Sequence, residues 1–180
     1  MVGSLIFNSI SFLFALLASK TKSKKWLVFS VLTIFVFIAI RYDYGNDYSS
    51  YSDLFDVVSG YTRLNLENFL FKGNEFGWIY LNFFFKNTGF YIMQIFLAAF
   101  STYVLYRFIK KYVPRKYYWL AVFLFIFQPY NMLVMISAQR QFVAITLFLI
   151  AVDFLIKKQR IYYIVFVLFA SLFHSSSLLL

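Results

Sequence analysis

Phe90-Tyr-Ile-Met-Gln-Ile-Phe-Leu-Ala-Ala-Phe-Ser-Thr-Tyr-Val-Leu-Tyr-Arg-Phe108 carries a single charge, Arg107, and runs into Lys110, Lys111, Pro114, Arg115 and Lys116. An apolar stretch of this length, wound as a helix, covers about 30 Å, the thickness of a bilayer's hydrocarbon core. A basic cluster just past its end is how a membrane helix is anchored and oriented. This stretch decides the reading of the whole chain.

Similar runs flank it. Val2 to Ala18 ends in Lys20, Lys22, Lys24 and Lys25, and Trp26 to Ile40 follows. Tyr117 to Ile136 is interrupted near Gln128, Pro129 and Asn131, where proline removes a backbone donor and kinks the helix. Phe142 to Ile156 leads into Lys157, Lys158 and Arg160, and Ile161 to Leu180 is the last run. Phe76 to Phe85 is too short to cross as a helix and reads as a re-entrant or interfacial piece. The chain is 62% hydrophobic and 24% aromatic over 180 residues, more apolar surface than a soluble core of this size can hide. The expected fold is all-α: a polytopic transmembrane helix bundle of about six spans plus one short re-entrant or interfacial helix. It forms a single domain over residues 1–180 with an outer polar loop at 41–75. The end at Leu178-Leu179-Leu180 has no polar anchor after it, as expected of an amino-terminal fragment.

The net charge of +10 does not imply nucleic acid. The basic residues sit in short clusters between apolar runs, where they orient helices and meet anionic lipid head groups. There is no cysteine, hence no disulfide, thiol nucleophile or thiolate metal site, and one histidine cannot build a histidine cage. The first run has no basic start, and lysines follow it where a signal-peptide cleavage site would stand. Three clusters hold twelve of the seventeen basic residues. The other five are Arg41, Arg63, Lys72, Lys86 and Arg140. With the clusters in the cytoplasm, six spans put the amino terminus outside. The loop from Arg41 to Glu75, which carries Asp43, Asp47, Asp53, Asp56, Glu67 and Glu75, then faces outward.

The polar residues beside the spans fall at that outer face, and charges there are candidates for function. In Arg41-Tyr-Asp-Tyr-Gly-Asn-Asp-Tyr48 the bland reading is an interfacial belt of tyrosines with a snorkelling arginine. The sharper reading is a polar site with Arg41 as a fork for phosphate and Gly45 as the turn. Arg140 and Gln141 open the fifth span just after a broken helix end, and a helix start favours an anion. As a boundary anchor Arg140 would need no ligand. His174, placed along the sixth span, is either a hydrogen-bonded structural residue or a catalyst. Glu75 and Trp78 are either a helix-start acid with an aromatic anchor or part of the same site. Asp153 and Lys157, one helical turn apart, read as a structural pair.

Taken in order, these motifs are Arg-x-Asp-x-Gly-x-Asp-Tyr-x-x-Tyr from Arg41 to Tyr51, Glu-x-Gly-Trp at Glu75 to Trp78, Arg-Gln at 140–141 and Phe-His-x-Ser from Phe173. Together they resemble the EpsG family of bacterial exopolysaccharide membrane proteins, related to Wzy-type O-antigen and capsule polymerases. The resemblance implies a multi-pass protein of the bacterial cytoplasmic membrane. It would polymerise oligosaccharide repeats carried on undecaprenyl diphosphate, by glycosyl transfer at the outer face, with no protein-bound cofactor. Membrane lipids and other polysaccharide assembly proteins would be its partners. Under that implication Arg41, Tyr48, Tyr51, Trp78, Arg140 and Gln141 bind substrate. Asp43, Asp47, Glu75 or His174 would supply the proton acceptor. Paired acids holding a divalent ion, a transporter or flippase of lipid-linked sugar, and a non-catalytic component of an assembly complex are the rival readings.

Overall fold

Long apolar runs rich in Leu, Phe and Ala satisfy their own backbone donors and acceptors only by coiling, so the chain is helical from its start. The computed structural model describes residues 2–21, 23–64 and 75–179. Lys22, Glu67 and Lys72, counted above in the charge pattern, lie outside the described residues. Among the described residues the helices are α1 (Val2–Lys20), α2 (Lys25–Ala39), α3 (Tyr48–Ser59), α4 (Phe76–Phe85), α5 (Phe90–Tyr112), α6 (Tyr118–Phe127), α7 (Pro129–Ile136), α8 (Gln139–Ile156) and α9 (Arg160–Ser171). Short 3₁₀ turns occupy Arg115–Tyr117 and Ser175–Leu179.

The all-α architecture agrees with the sequence, but the expectation of about six spans is overturned. Among the described residues three helices are long and apolar enough to cross a membrane: Gly3–Lys20, Phe90–Tyr112 and Gln139–Ile156. A fourth is reached if Arg115–Phe127 and Pro129–Ile136, bent by 61°, count as one broken span. The reason is helix length rather than composition. At 1.5 Å per residue the 15 residues of α2 cover about 22 Å and the 12 of α9 about 18 Å, short of a core of about 30 Å. The run from Ile161 to Leu180 is interrupted by His174-Ser-Ser-Ser177, and its helix stops at Ser171. Six spans therefore no longer place the amino terminus outside.

The segment Phe76–Phe85 is a helix with the expected bounds, and the break at Gln128–Pro129 is where proline put it. The polar loop holds more order than its composition suggests. α3 buries Tyr48, Tyr51, Phe55 and Val58, a 3-4-3 spacing that lines one helical face.

Two packed clusters share the long helix α5. On one side Ala15, Leu27, Val31, Ile34, Leu105, Ile109, Val122 and Ile126 join α1, α2 and α6. Ser11 and Ser30, both fully buried, meet there hydroxyl to hydroxyl at 3.1 Å, the close approach small residues permit between membrane helices. On the other side Tyr51, Phe55, Trp78, Met93, Val143, Leu147, Ala170 and Phe173 join α3, α4, α8 and α9.

The bundle has two chemically different ends. The Arg115 Nε donates to the Ala18 carbonyl at 3.0 Å, the Trp119 N–H to Ser19 Oγ at 3.0 Å, and Lys111 pairs with Asp153. The three basic clusters therefore gather at one end. Arg41, Gln94 and Gln139 meet at the other.

Candidate functional site

The end of α2, the start of α5 and the break between α7 and α8 converge on Arg41. A helix end leaves carbonyls without intrahelical partners. Those of Met135, at 3.5 Å, and Ile136 accept from Arg41 Nη1. Arg41 Nη2 donates to Gln94 Oε1 at 2.8 Å, and Gln94 Nε2 donates to Gln139 Oε1 at 2.8 Å. Gln139 Nε2 donates back to Gln94 Oε1. All three side chains are buried, at 6%, 5% and 5% exposure. Burial is the main influence on the Arg41 guanidinium and pulls it down to about 10, far enough above neutral for it to stay charged.

The loop after Arg41 lies against the same break. Gly45 adopts φ +108°, and a β-carbon on it would stand 2.5 Å from the Ile136 carbonyl oxygen. Only glycine meets both demands. The Asn46 N–H donates to Ser137 Oγ at 3.3 Å. Asp43, itself at φ +46°, and Asp47 stand exposed on this loop. Tyr48 is buried, its ring edge-on to Phe90 at 5.5 Å, with the Arg41 guanidinium 5.8 Å from its centroid.

One helical turn along α3 the second arrangement begins. Arg140 forms a salt bridge with Glu75, and its guanidinium lies 5.9 Å from the centroid of the Tyr51 ring. Tyr51 packs on Trp78 at 5.2 Å, and Trp78 is fully buried. Glu75 stands at the start of α4 with extended backbone, its other oxygen 3.9 Å from His174 Nδ1. His174 is not within a helix: α9 has ended, and the imidazole sits in the turn that follows. That nitrogen also lies 3.4 Å from the Ser176 N–H, a bond it accepts only while unprotonated there. The turn is held to α4 by the Gly77 N–H, which donates to the Leu172 carbonyl at 2.8 Å. Glu75, Arg140 and His174 keep 19%, 30% and 32% of their side chains exposed.

The structure thus brings Glu75, Arg140, His174, Tyr51 and Trp78 together, from four separate parts of the chain. Arg41 and Tyr48 form a neighbouring arrangement. Gln141 turns to Tyr130, donating to its hydroxyl at 2.8 Å. Gln94 and Gln139 escaped the sequence reading. Gln94 had a signal: an amide inside an otherwise apolar run must find a partner. Among the described residues no three His, Cys, Asp or Glu side chains are grouped so as to hold a metal ion. The arrangement is a mostly buried carboxylate between a guanidinium and an imidazole, on a buried aromatic floor. It can take a proton and bind an anion.

A model of the EpsG family matches residues 24–180, and the chain belongs to that family. No curated protein and no solved structure matches it.

Proposed function

We propose that this EpsG-family chain polymerises lipid-linked oligosaccharide repeats at the outer face of the bacterial cytoplasmic membrane, with the basic end of the bundle in the cytoplasm. The observation that carries the reading is Glu75 set between the partly exposed Arg140 and His174, at the end opposite the basic clusters. In the proposed step the acceptor sugar hydroxyl attacks the anomeric carbon of a chain carried on undecaprenyl diphosphate. A carbon–oxygen bond forms, the bond to the diphosphate breaks, and the diphosphate leaves with the bonding electrons. The hydroxyl proton goes to the Glu75 carboxylate, with the His174 imidazole 3.9 Å away. Arg140 meets the charge growing on the leaving group, where a guanidinium is worth most. Tyr51 and Trp78, both buried, form the floor that holds the Arg140 guanidinium in place. Arg41, closed on helix carbonyls and Gln94, positions the break from which Arg140 projects. Asp43 and Asp47 would meet the sugars from the exposed loop.

The experiment is elongation of lipid-linked repeats by the purified protein in proteoliposomes. Longer chains from wild type, none from Glu75→Gln, and about ten- to hundred-fold slower elongation by Arg140→Lys support the reading. Passage of repeats across the bilayer with no lengthening would make it a transporter instead. Neither activity in a well-folded preparation would leave a non-catalytic component of an assembly complex.

A further inference from the structure

At the basic end, α5 and α8 part to leave a groove of about 310 Å³. Its deep wall is Phe100, Val104, Leu149 and Ile150, and its mouth holds Arg107, Lys111 and Asp153. Both flanking helices are among those long and apolar enough to cross a membrane, so the deep wall lies at hydrocarbon depth and the mouth at head-group level.

The charges at the mouth do not cancel. Asp153 is the acid there, and it is already satisfied. Lys111 Nζ and the Tyr112 hydroxyl donate to one oxygen and Lys157 Nζ, at 2.7 Å, to the other. Arg107 by contrast makes one hydrogen bond, to the Tyr103 hydroxyl at 3.3 Å, and is exposed. With Lys110 beside it, the mouth keeps a surplus of positive charge. Among the described residues three other grooves are of similar size: two, of about 320 and 310 Å³, have no charged residue in their lining, and the third, of about 290 Å³, holds Arg41, already closed on helix carbonyls and Gln94. They offer an acyl chain a wall and a head group nothing.

We propose that this groove binds one anionic phospholipid, its phosphate on Arg107 and Lys111 and an acyl chain along Phe100, Val104 and Leu149. The distance along α5 from Phe100 to Lys111 is about 16 Å at 1.5 Å per residue, the scale of an extended acyl chain. Helix C-termini carry partial negative charge, which opposes an anion. The cations crowded on the last turns of α5 outweigh it. Asp153 sets the Lys111 ammonium at the mouth. The inference does not depend on the reaction proposed above.

The test is retention of dioleoyl phosphatidylglycerol by the full chain, against dioleoyl phosphatidylcholine, read by native mass spectrometry from mixed micelles. Wild type is expected to keep one phosphatidylglycerol preferentially. Arg107→Gln removes no structural contact beyond the tyrosine bond and should lower that retention about five-fold, the effect of one cation near a lipid head group. Leu149→Trp, which fills the wall, should abolish it without changing charge. Lys24→Gln with Lys25→Gln removes more charge at the same end, outside the groove, and should leave it unchanged. Equal loss from the Lys24/Lys25 pair and from Arg107→Gln would overturn the site, leaving only general surface attraction. So would equal retention of the two lipids, or full retention by a folded Leu149→Trp variant.

Discussion

The Gly77 N–H donates to the carbonyl oxygen of Leu172 at 2.8 Å, and a β-carbon on Gly77 would stand 2.8 Å from that same oxygen. Helix α4 and the turn carrying His174 are thus in backbone contact, two residues on from Glu75 and two before the imidazole.

Gly77→Ala must therefore push that turn away, since a backbone carbonyl cannot swing aside as a flexible side chain can. Overpacking of this kind costs about 1–3 kcal/mol. The expected result is a lower unfolding midpoint in detergent together with shorter polymer. Gly3→Ala, which has nothing within 4 Å of its β-carbon, should match wild type in both. Wild-type behaviour of Gly77→Ala would mean the contact does not hold the site.

Gln94→Leu leaves a buried Arg41 N–H and the Gln139 amide without their partner. An unmet buried polar group costs about 1–3 kcal/mol. The same loss should appear in Gln139→Leu, and the double variant should cost less than the two singles added. Chemical unfolding of the three proteins measures this coupling. Additive losses would show that the amides do not act as a pair.

Arg140→Lys keeps the charge and gives up the planar fork that pairs with Glu75 beside the Tyr51 ring. Losing one charge-assisted hydrogen bond of about 1.5–3 kcal/mol corresponds to a ten- to hundred-fold fall in elongation rate. Arg41→Lys should act differently, chiefly lowering stability, because Arg41 is committed to carbonyls and Gln94. Rates and unfolding midpoints measured on both variants separate the two roles. Full activity in Arg140→Lys would remove Arg140 from the chemistry.

The chain has no cysteine, so single cysteines report without background. With an impermeant thiol reagent on intact cells, Ser50→Cys on exposed α3 should label and Lys116→Cys at the basic end should not. The reverse pattern would put the Glu75 end in the cytoplasm and defeat the outer-face proposal.

Helix type, the proline break and the short α4 were legible because each rests on local chemistry: apolar run length, a missing donor, ten residues between polar flanks. The number of spans was not. The largely apolar letters from Ile161 to Phe173 run two residues past the helix end at Ser171, and Leu178 to Leu180 resume after the polar His174-Ser-Ser-Ser177, so hydropathy alone joins the helix to the turn that follows it. Helix α3 was hidden by its serines and aspartates, although its buried residues keep a helical spacing. Glu75, Arg140 and His174 could be named from their positions beside apolar runs. That Arg41 would close on a helix end, and that Gln94 and Gln139 would complete it, depends on contacts across 45 to 95 residues that no local pattern encodes.

That separation also has a meaning in time. Arg41 leaves the ribosome 95 residues before Ile136. At about 5–20 residues per second, roughly 5 to 20 s pass between them. Throughout that interval α2 waits with a cation at its end and no carbonyl to receive it. The long side chain can wait at the water interface, where arginine is at home. Burial of Arg41 is therefore a late event in biogenesis, and it marks the moment at which the two halves of the bundle lock.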